Sequence, residues 1–204
     1  MTTTKLGAFL WMLCLQFFAA EAVAISGWLG AYSYRFNYIS DLGAVRCSPE
    51  ICSPLHAVMN GSFLLQGALI LGGTALLWPL VAKGRLAKLA MGLIGASGIG
   101  VFLVGLAPED ALAPIHFFGA AVNLLCCHLG MATMGVSLMH AGAARSFGAI
   151  SLGVGLLGLS GIGLLGAGVY LGLGVGFVER IVAYPFPLWL AGMGALNLRG
   201  GAGD

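Results

Sequence analysis

The sequence predicts an all-α fold: a polytopic membrane protein whose single domain, residues 1–204, is a bundle of six transmembrane helices. Two observations support this prediction. Of the 204 residues, 59% are hydrophobic and 8% are charged, whereas a soluble domain carries roughly 25% charged residues. The apolar residues also form continuous runs of about the 20 residues that a helix needs to cross a bilayer, without the alternation typical of β-barrel strands.

Composition also excludes two classes of protein. The chain is too apolar to be intrinsically disordered. Its formal net charge of +2 is too small for an electrostatic nucleic-acid-binding surface. We therefore expect membrane lipids, and no nucleic acid, among its partners.

Six segments satisfy the length and hydrophobicity of a spanning helix. In chain order they are Leu6–Leu29, His56–Val81, Leu86–Leu106, Ile115–Met139, Phe147–Leu171 and Ile181–Leu198. Polar, charged or turn-forming segments separate them. These are the polar stretch Tyr32–Pro54, the basic turn Lys83–Arg85, the acidic turn Pro108–Asp110, the turn near Arg145 and the Gly174–Arg180 connection.

The first apolar run follows Lys5 and contains Ala22–Ala24, which resembles the small-residue motif at which a signal peptidase cleaves. The run nevertheless continues to Leu29, which is long for the apolar region of a signal peptide. We therefore expect the first segment to be retained as a transmembrane helix.

The distribution of lysine and arginine predicts the orientation, because short cytoplasmic loops carry an excess of these residues. One side of the predicted bundle carries six of them: Lys5, Lys83, Arg85, Lys88, Arg145 and Arg199. The other side carries three: Arg35, Arg46 and Arg180. The sequence thus predicts a multi-pass protein of the plasma (inner) membrane with both termini in the cytoplasm.

The cysteines divide by position. Cys47 and Cys52 lie in the predicted outer loop, where an oxidising compartment permits a disulfide. The bridge requires a tight turn over residues 48–51, because bridged Cα atoms lie within about 7 Å; the alternative is a pair of free thiols. The other cysteines lie in spans and are interpreted as packing residues: Cys14, Cys126 and Cys127.

The fifth span contains two glycine patterns of the G-x-G-x-x-G type, over Gly153–Gly158 and Gly161–Gly166. This pattern indicates a dinucleotide site only between a strand and a helix N-terminus. In the middle of a span, regularly spaced glycines favour close helix packing instead. We therefore expect the helix over residues 147–171 to be central in the bundle, or to contact a second copy of the chain or another partner.

Strongly polar side chains within the spans need a specific explanation, because a charge at the bilayer centre costs at least about 2.5 kcal/mol. They are Glu21, His128, Gln16, Gln66 and Asn123. One interpretation is an internal hydrogen-bonded network in which Glu21 bonds to His128 or Gln66. The other is a proton relay or a buried catalytic pair.

The predicted outer side brings further polar residues to one depth. His56 and Asn60 are spaced i, i+4 on the second span. His116, Asn123 and Cys127 share one stripe of the fourth span, with Ala120 nearby and His128 turned about 120° away. Carboxyl and guanidinium groups reach the same level from three segments: Asp41, Glu109, Asp110, Glu179 and Arg180.

These residue types suit acid–base chemistry, because imidazoles and carboxylates exchange protons near neutral pH. We predict Asp41 and His116 as the acid–base pair, with His56 and either Glu109 or Asp110 orienting it or binding a cation. For the substrate, Arg180 is predicted to hold an anionic headgroup through its fork of donors. The other candidate substrate-binding residues are Glu179, Asn60 and Asn123.

Two kinds of cofactor can be considered from the same residues. A divalent metal would take its ligands from Asp41, His56, His116 and Asp110, although no local metal-binding motif is present. A bis-histidine haem needs one imidazole from each of two helices at equal depth. Only His56 and His116 offer such a pair, so the sequence disfavours haem.

Several of these segments occur in a recognisable order. They are Ile39–Gly43, Ser53–Pro54, Asn60–Phe63, Pro108–Asp110 followed by His116, and Glu179–Arg180. In this order they resemble the membrane family called domain of unknown function 998, over nearly the whole chain. A more distant similarity, in the Ser-Asp-x-Gly segment after the first helix, is to DRAM-like and GPI-remodelling membrane proteins. The resemblance implies a six-helix bundle with a polar outer-face site, and by analogy it favours a lipid-related role.

Three hypotheses of function follow. The first is an enzyme or lipid-handling protein that acts on a lipid or amphiphilic substrate at the outer leaflet. The alternatives are a proton-coupled small transporter that uses Glu21 and His128, and a non-catalytic membrane scaffold subunit. A solvent-reachable cavity lined by the outer polar residues would favour the first hypothesis, and dry packing around them would favour the scaffold.

Overall fold

The computed structural model describes residues 2–142 and 144–200, and this part of the chain is helical without a β-strand. The α-helices are α1 (Thr3–Leu13), α2 (Gln16–Ser26), α3 (His56–Val81), α4 (Arg85–Leu106), α5 (Ala113–His140), α6 (Arg145–Gly166), α7 (Val175–Ala183) and α8 (Pro185–Gly200). A 3₁₀ turn covers Ser40–Gly43. The described residues contain six helical segments long and apolar enough to cross a membrane. The predicted six-helix architecture is therefore confirmed.

Two of the six spans consist of two helices each. The first span combines α1 and α2, and the sixth combines α7 and α8. The sixth is divided at Pro185, whose ring nitrogen has no hydrogen to donate to the preceding turn. It begins at Val175, six residues before the predicted start at Ile181.

The fifth span ends at Gly166, before the predicted limit of Leu171. The residues after it turn instead of continuing the helix. Gly168, Gly172 and Gly174 have φ angles of +68°, +74° and +89°, which only glycine adopts without strain. The apolar composition of residues 167–171 made the predicted helix too long, because the backbone of this segment turns and is not helical.

Helix α4 occupies the centre of the bundle, between α3 and α5. Of the residues in its most apolar stretch, 50% are buried, a larger share than in the other five spans. Close approach depends on glycine: a Cβ at Gly67 would lie 2.7 Å from the carbonyl oxygen of Gly98 on α4. On the other side of α4, a Cβ at Gly119 would lie 2.8 Å from the carbonyl oxygen of Gly100.

The predicted central position of the glycine-rich fifth helix is wrong. Only 28% of the residues in the most apolar stretch of α6 are buried. This helix lies at the edge of the bundle, against α5 and α7. Its inward glycines do permit close packing, since a Cβ at Gly155 would lie 2.8 Å from the carbonyl oxygen of His128. Gly153 and Gly163 face open space. The predicted contact with another chain stays a prediction.

The loops over residues 27–55, 107–112 and 167–174 meet on one side of the bundle, which we call the loop face. The Arg35 guanidinium donates to the carbonyl of Gly172 at 2.6 Å, and the Asp110 carboxylate accepts the backbone N–H groups of Val45 and Arg46 at 3.1 and 2.7 Å. On the opposite side the two ends of the chain are adjacent, because Gly194 of α8 packs on the backbone of Ala8.

The first loop of the loop face contains a disulfide between Cys47 and Cys52, with Cα atoms 4.3 Å apart. The required tight turn is present: the Ser48 hydroxyl accepts the backbone N–H groups of Glu50 and Ile51. Of the two alternatives open from the sequence, the bridged form is the one in the structure.

Gly100→Ala is expected to destabilise the bundle by about 1–3 kcal/mol, because its methyl group would clash with the backbone of Gly119 and Asn123. Gly153→Ala is the matched control on an open helix face. There the change from glycine should be neutral or stabilising, because alanine favours a helix. Thermal melting of both variants in detergent measures the difference, and equal melting temperatures would contradict the close contact.

Candidate functional site

A cavity of about 740 Å³ lies beneath the loop face, among α2, α3, α4, α5 and the α7–α8 span. Its inner wall is mostly apolar and includes Phe63, Ile70, Val101, Leu124 and Phe186, with the polar side chains Gln66 and Asn123 among them. Ile70 is 14 residues along α3 from the loop face, about 21 Å at 1.5 Å per residue. The cavity therefore extends from the loop face to the middle of the bundle.

The mouth of the cavity, at the loop face, is acidic. The ionisable side chains that line it are Asp41, Glu109, Asp110, His116 and Glu179. The sequence predicted each of them at this level, and the structure brings all five to one cavity.

Backbone hydrogen bonds hold two of the mouth carboxylates in position. Oδ2 of Asp41, in the 3₁₀ turn, accepts the backbone N–H of Tyr38 at 2.8 Å and the side-chain amide of Asn37 at 3.3 Å. Oε2 of Glu179 accepts the backbone N–H of Ile39 at 2.6 Å. The segment 37–41 thus fixes one oxygen of each carboxylate, and α7 is tied to the first loop.

His116 is 4% exposed and presents a single nitrogen to the cavity. Nδ1 bonds to the carbonyl oxygen of Ala107 at 2.8 Å, and because a carbonyl only accepts, Nδ1 carries the hydrogen. Nε2 is therefore the basic nitrogen of the neutral ring. It lies 4.0 Å from Oε2 of Glu109.

Glu109 is the titratable group of the mouth that is poised near neutral pH. Burial, and after it the neighbouring carboxyl groups of Asp41 and Asp110, raise its pKa from 4.5 to about 7, against a hydrogen bond from Ser40 that lowers it. Burial also raises the pKa of Tyr38 to about 12, so this cavity-lining phenol stays protonated. Glu109 and His116 together form a pair able to give and accept a proton.

The predicted stripe of the fourth span is confirmed. His116, Ala120, Asn123 and Cys127 all line the cavity from α5. Oδ1 of Asn123 is buried, and it has no hydrogen-bond partner among the described residues. The i, i+4, i+7 periodicity of a helix was sufficient to find this wall.

His56 and Asn60 do not line the cavity, contrary to their predicted catalytic and substrate-binding roles. Nδ1 of His56 donates to the carbonyl of Ser53 at 2.9 Å, and the Asn60 amide donates to the carbonyl of Gly43 at 2.8 Å. Both side chains face the first loop, because the spacing that aligned them directs them toward the backbone around the 3₁₀ turn. They position Asp41 through that turn.

Arg180 also differs from its predicted role in binding an anionic headgroup. Its guanidinium points away from the cavity, into a buried cluster in which it contacts Oε1 of Glu21 at 3.1 Å. It also donates to the Tyr184 hydroxyl at 3.0 Å and to the Tyr32 hydroxyl. Backbone carbonyls of Asn37 and Gly176, each at 2.9 Å, complete the cluster. The donors expected to hold a substrate are thus bonded to protein groups.

Glu21 and His128, the predicted transporter residues, lie in separate environments. The Glu21 carboxylate accepts hydrogen bonds from Arg180 and, at 2.7 Å, from the Tyr184 hydroxyl. Nε2 of His128 bonds to the carbonyl of Val182 at 2.9 Å, and its ring packs against Gly158. The expected bond from Glu21 to His128 or Gln66 is therefore replaced by a pairing with Arg180. Gln66 instead accepts from the Gln16 amide at 3.1 Å.

Sequence reasoning missed this partner because it placed Arg180 in a connection outside the last span. The structure makes Arg180 part of α7, one helical turn from Tyr184. The two hydroxyl partners of the pair are Tyr32 and Tyr184. Their positions in the sequence do not indicate a buried cluster, since tyrosines near the ends of spans are common.

The predicted metal ligands are not assembled as a set. His56 lies apart from the cavity that Asp41, Asp110 and His116 line. Within residues 2–142 and 144–200, no group of three or more His, Cys, Asp or Glu side chains is arranged to hold a metal ion. A bound divalent metal stays a prediction.

A family model with the description "Protein of unknown function (DUF998)" matches residues 8–196. The chain belongs to the DUF998 family. The resemblance inferred from the order of the short segments is thus confirmed, whereas the more distant similarity of this DUF998 protein to DRAM-like and GPI-remodelling proteins is not. No curated protein and no solved structure matches the chain.

Arg180→Met is expected to destabilise the protein by about 3–5 kcal/mol, because it leaves the buried Glu21 carboxylate without its cation. Arg46→Met is the control, since Arg46 is exposed and its side chain has no hydrogen bond among the described residues. Thermal melting in detergent should show a large loss for the first variant and little for the second. Similar melting temperatures would show that the pair contributes little.

Glu109→Gln is expected to stabilise the protein more at pH 8 than at pH 5. A carboxyl whose pKa is raised on folding from 4.5 to about 7 binds its proton more tightly when folded, so stability falls as the pH rises across that range. Glutamine cannot ionise and escapes this loss. Melting temperatures of both proteins at the two pH values measure the effect, and a pH-independent difference would contradict the raised pKa.

Proposed function

We propose that this DUF998 protein is a multi-pass protein of the plasma (inner) membrane that binds a lipid or other amphiphile from the outer leaflet. The loop face would be outside and both termini in the cytoplasm. The distribution of lysine and arginine supports this orientation. The disulfide between Cys47 and Cys52 also supports it, because disulfides persist in oxidising compartments.

The observation that carries this proposal is the polarity of the cavity along its length. Five ionisable side chains line its mouth, and mostly apolar side chains, with Gln66 and Asn123 among them, line its depth as far as Ile70. An amphiphile has the same distribution, with a polar headgroup and an apolar chain. The volume of about 740 Å³ falls in the range of about 300–1,000 Å³ typical of ligand pockets.

The opening of the cavity suits a ligand that arrives through the membrane. Phe36 and Phe117 both line the cavity, yet they are 63% and 62% exposed. Residues with both properties lie at an opening. A lipid could therefore enter sideways at the loop-face end of α5, with its headgroup at the level of the carboxylates.

His116 and Glu109 support an enzymatic role at the headgroup. General acid–base catalysis is most efficient when the pKa of the catalytic group lies near the working pH, as it does for Glu109. Nε2 of His116 would accept a proton and Glu109 would donate one, with Asp41 beside them. Glu179 and Asn123 would contact the substrate.

The other hypotheses have less support. The transporter alternative depends on Glu21 and His128, whose side chains bond to separate partners. The scaffold alternative requires packed surroundings for the outer polar groups, which line a cavity instead. The open glycines of α6, Gly153 and Gly163, support an additional contact with a second copy or another membrane protein.

Ala120→Phe tests amphiphile binding, because Ala120 lines the cavity and a phenyl ring there would occupy it. Ala121→Phe is the matched control on the exposed face of the same helix. Native mass spectrometry of the purified proteins should detect co-purified lipid on wild type and on Ala121→Phe, and several-fold less on Ala120→Phe. Equal retention by all three proteins would overturn the proposed function.

A further inference from the structure

The mouth of the cavity has an excess of negative charge. Four carboxyl groups line it, from Asp41, Glu109, Asp110 and Glu179. No lysine or arginine in the described part of the chain lines the cavity. Arg180, adjacent to Glu179 in sequence, is occupied by Glu21 and by hydroxyl and carbonyl oxygens.

Some of the acceptor oxygens at the mouth are open to the cavity. Asp41 and Glu179 each use one oxygen to accept backbone or amide hydrogens. The second oxygen of Glu179 receives no hydrogen bond from the described residues, whereas the Asp41 carboxyl is hydrogen-bonded to that of Glu109. Nε2 of His116, a residue that is 4% exposed, has no hydrogen-bond partner among the described residues. The mouth therefore presents acceptors of two kinds, carboxylate and imidazole, to a ligand that must supply donors or positive charge.

Aromatic side chains flank these acceptors. Tyr38 and Phe117 line the cavity at the level of the carboxylates, and a third lining ring, Phe36, already has the Arg35 guanidinium over its face, 5.2 Å from the ring centroid. The faces of such rings attract cations, and the attraction strengthens when water is excluded. A phosphate or sulfate at the same place would meet carboxylates without a compensating cation, and like charges at close range repel.

We propose that the cavity selects an amphiphile with a positively charged ammonium headgroup over neutral or anionic amphiphiles of the same chain length. This inference depends on the proposed function and assigns the headgroup class. The ammonium lies between Asp41, Glu109 and Glu179, beside the aromatic rings, and the alkyl chain follows the apolar wall toward Ile70.

Binding of such a cation is coupled to release of a proton. Glu109 faces Ser40 and Asp41 from the 3₁₀ turn, Asp110 from its own turn, His116 from α5 and Glu179 from α7. With a pKa of about 7, much of Glu109 is protonated at neutral pH, and a neighbouring cation favours the ionised form. Between pH 6 and pH 8 the affinity should rise several-fold, because Glu109 ionises across that range.

Three dodecyl amphiphiles with nearly the same chain test the headgroup class: the trimethylammonium, the neutral dimethylamine oxide and the sulfate. Calorimetric titration at pH 8 uses the protein in zwitterionic phosphatidylcholine nanodiscs, and Ala120→Phe nanodiscs give the partition into lipid alone. Wild type should bind the trimethylammonium about tenfold more tightly than either other probe, equivalent to about 1.4 kcal/mol.

Two carboxylate variants identify the charges responsible. Glu179→Gln should lose most of the preference for the cation, whereas Glu50→Gln, an exposed carboxylate of the disulfide loop, should retain it. Glu109→Gln should show a clearly smaller change in affinity between pH 6 and pH 8 than wild type. It is also the second variant if Glu179→Gln does not fold.

The outcomes separate the two proposals. Cavity-dependent binding in which the amine oxide or the sulfate equals the trimethylammonium overturns the headgroup inference and leaves amphiphile binding in place. Full preference for the cation in both Glu179→Gln and Glu109→Gln overturns it as well. If no probe binds wild type more than Ala120→Phe, both the headgroup inference and the proposed function fail.

Discussion

The buried ion pair between Arg180 and Glu21 directs the Arg180 guanidinium away from the cavity beneath the loop face. It joins α7 to α2, and further donors of the same guanidinium hold the carbonyls of Asn37 and Gly176. Taking both charges out of water is costly, and the cost is reduced by the hydroxyl groups of Tyr32 and Tyr184. Because the guanidinium is directed to this cluster, the carboxylates of the adjacent cavity have no arginine among them.

Helix packing supplies the second constraint, since glycine contacts hold α3, α4 and α5 together on one side of the cavity. Glycine contacts bring α3, α4 and α5 to backbone distance, as at Gly67 and Gly119. Without a hydrophobic driving force between helices in lipid, such close approach is a main source of association. Toward the loop face, side chains do not fill the space between α5 and the sixth span, and this space forms the cavity.

The loops complete the site and are themselves fixed by polar contacts. Asp110 accepts two backbone N–H groups of the first loop, and Glu179 accepts that of Ile39. Both carboxylates thus have a structural contact, and Glu179 keeps a second oxygen that receives no hydrogen bond from the described residues. Because the same side chains support the loops and present acceptors to the cavity, a charge-neutralising substitution there would affect both the loop contacts and ligand binding.

Several features followed from the sequence because they depend on local pattern. Continuous apolar runs defined six spans, and helical periodicity placed His116, Ala120, Asn123 and Cys127 on one wall. The level of Asp41, Glu109 and Glu179 followed from the positions of the breaks between spans. Each is a property of residues close together in the chain, where rise and rotation per residue are known.

Partner choice depended on tertiary structure. Nothing near Arg180 in the chain indicates that it pairs with Glu21, 159 residues away, and not with a ligand. In the same way, Asn60 bonds to Gly43 and Glu179 to Ile39, because the backbone of the first loop approaches from another segment. The sequence by itself determined which residues reach the loop face, since depth in a membrane is set by local hydrophobicity. Only the folded bundle decided which of them face the cavity, because that depends on how separate helices rotate and pack against one another.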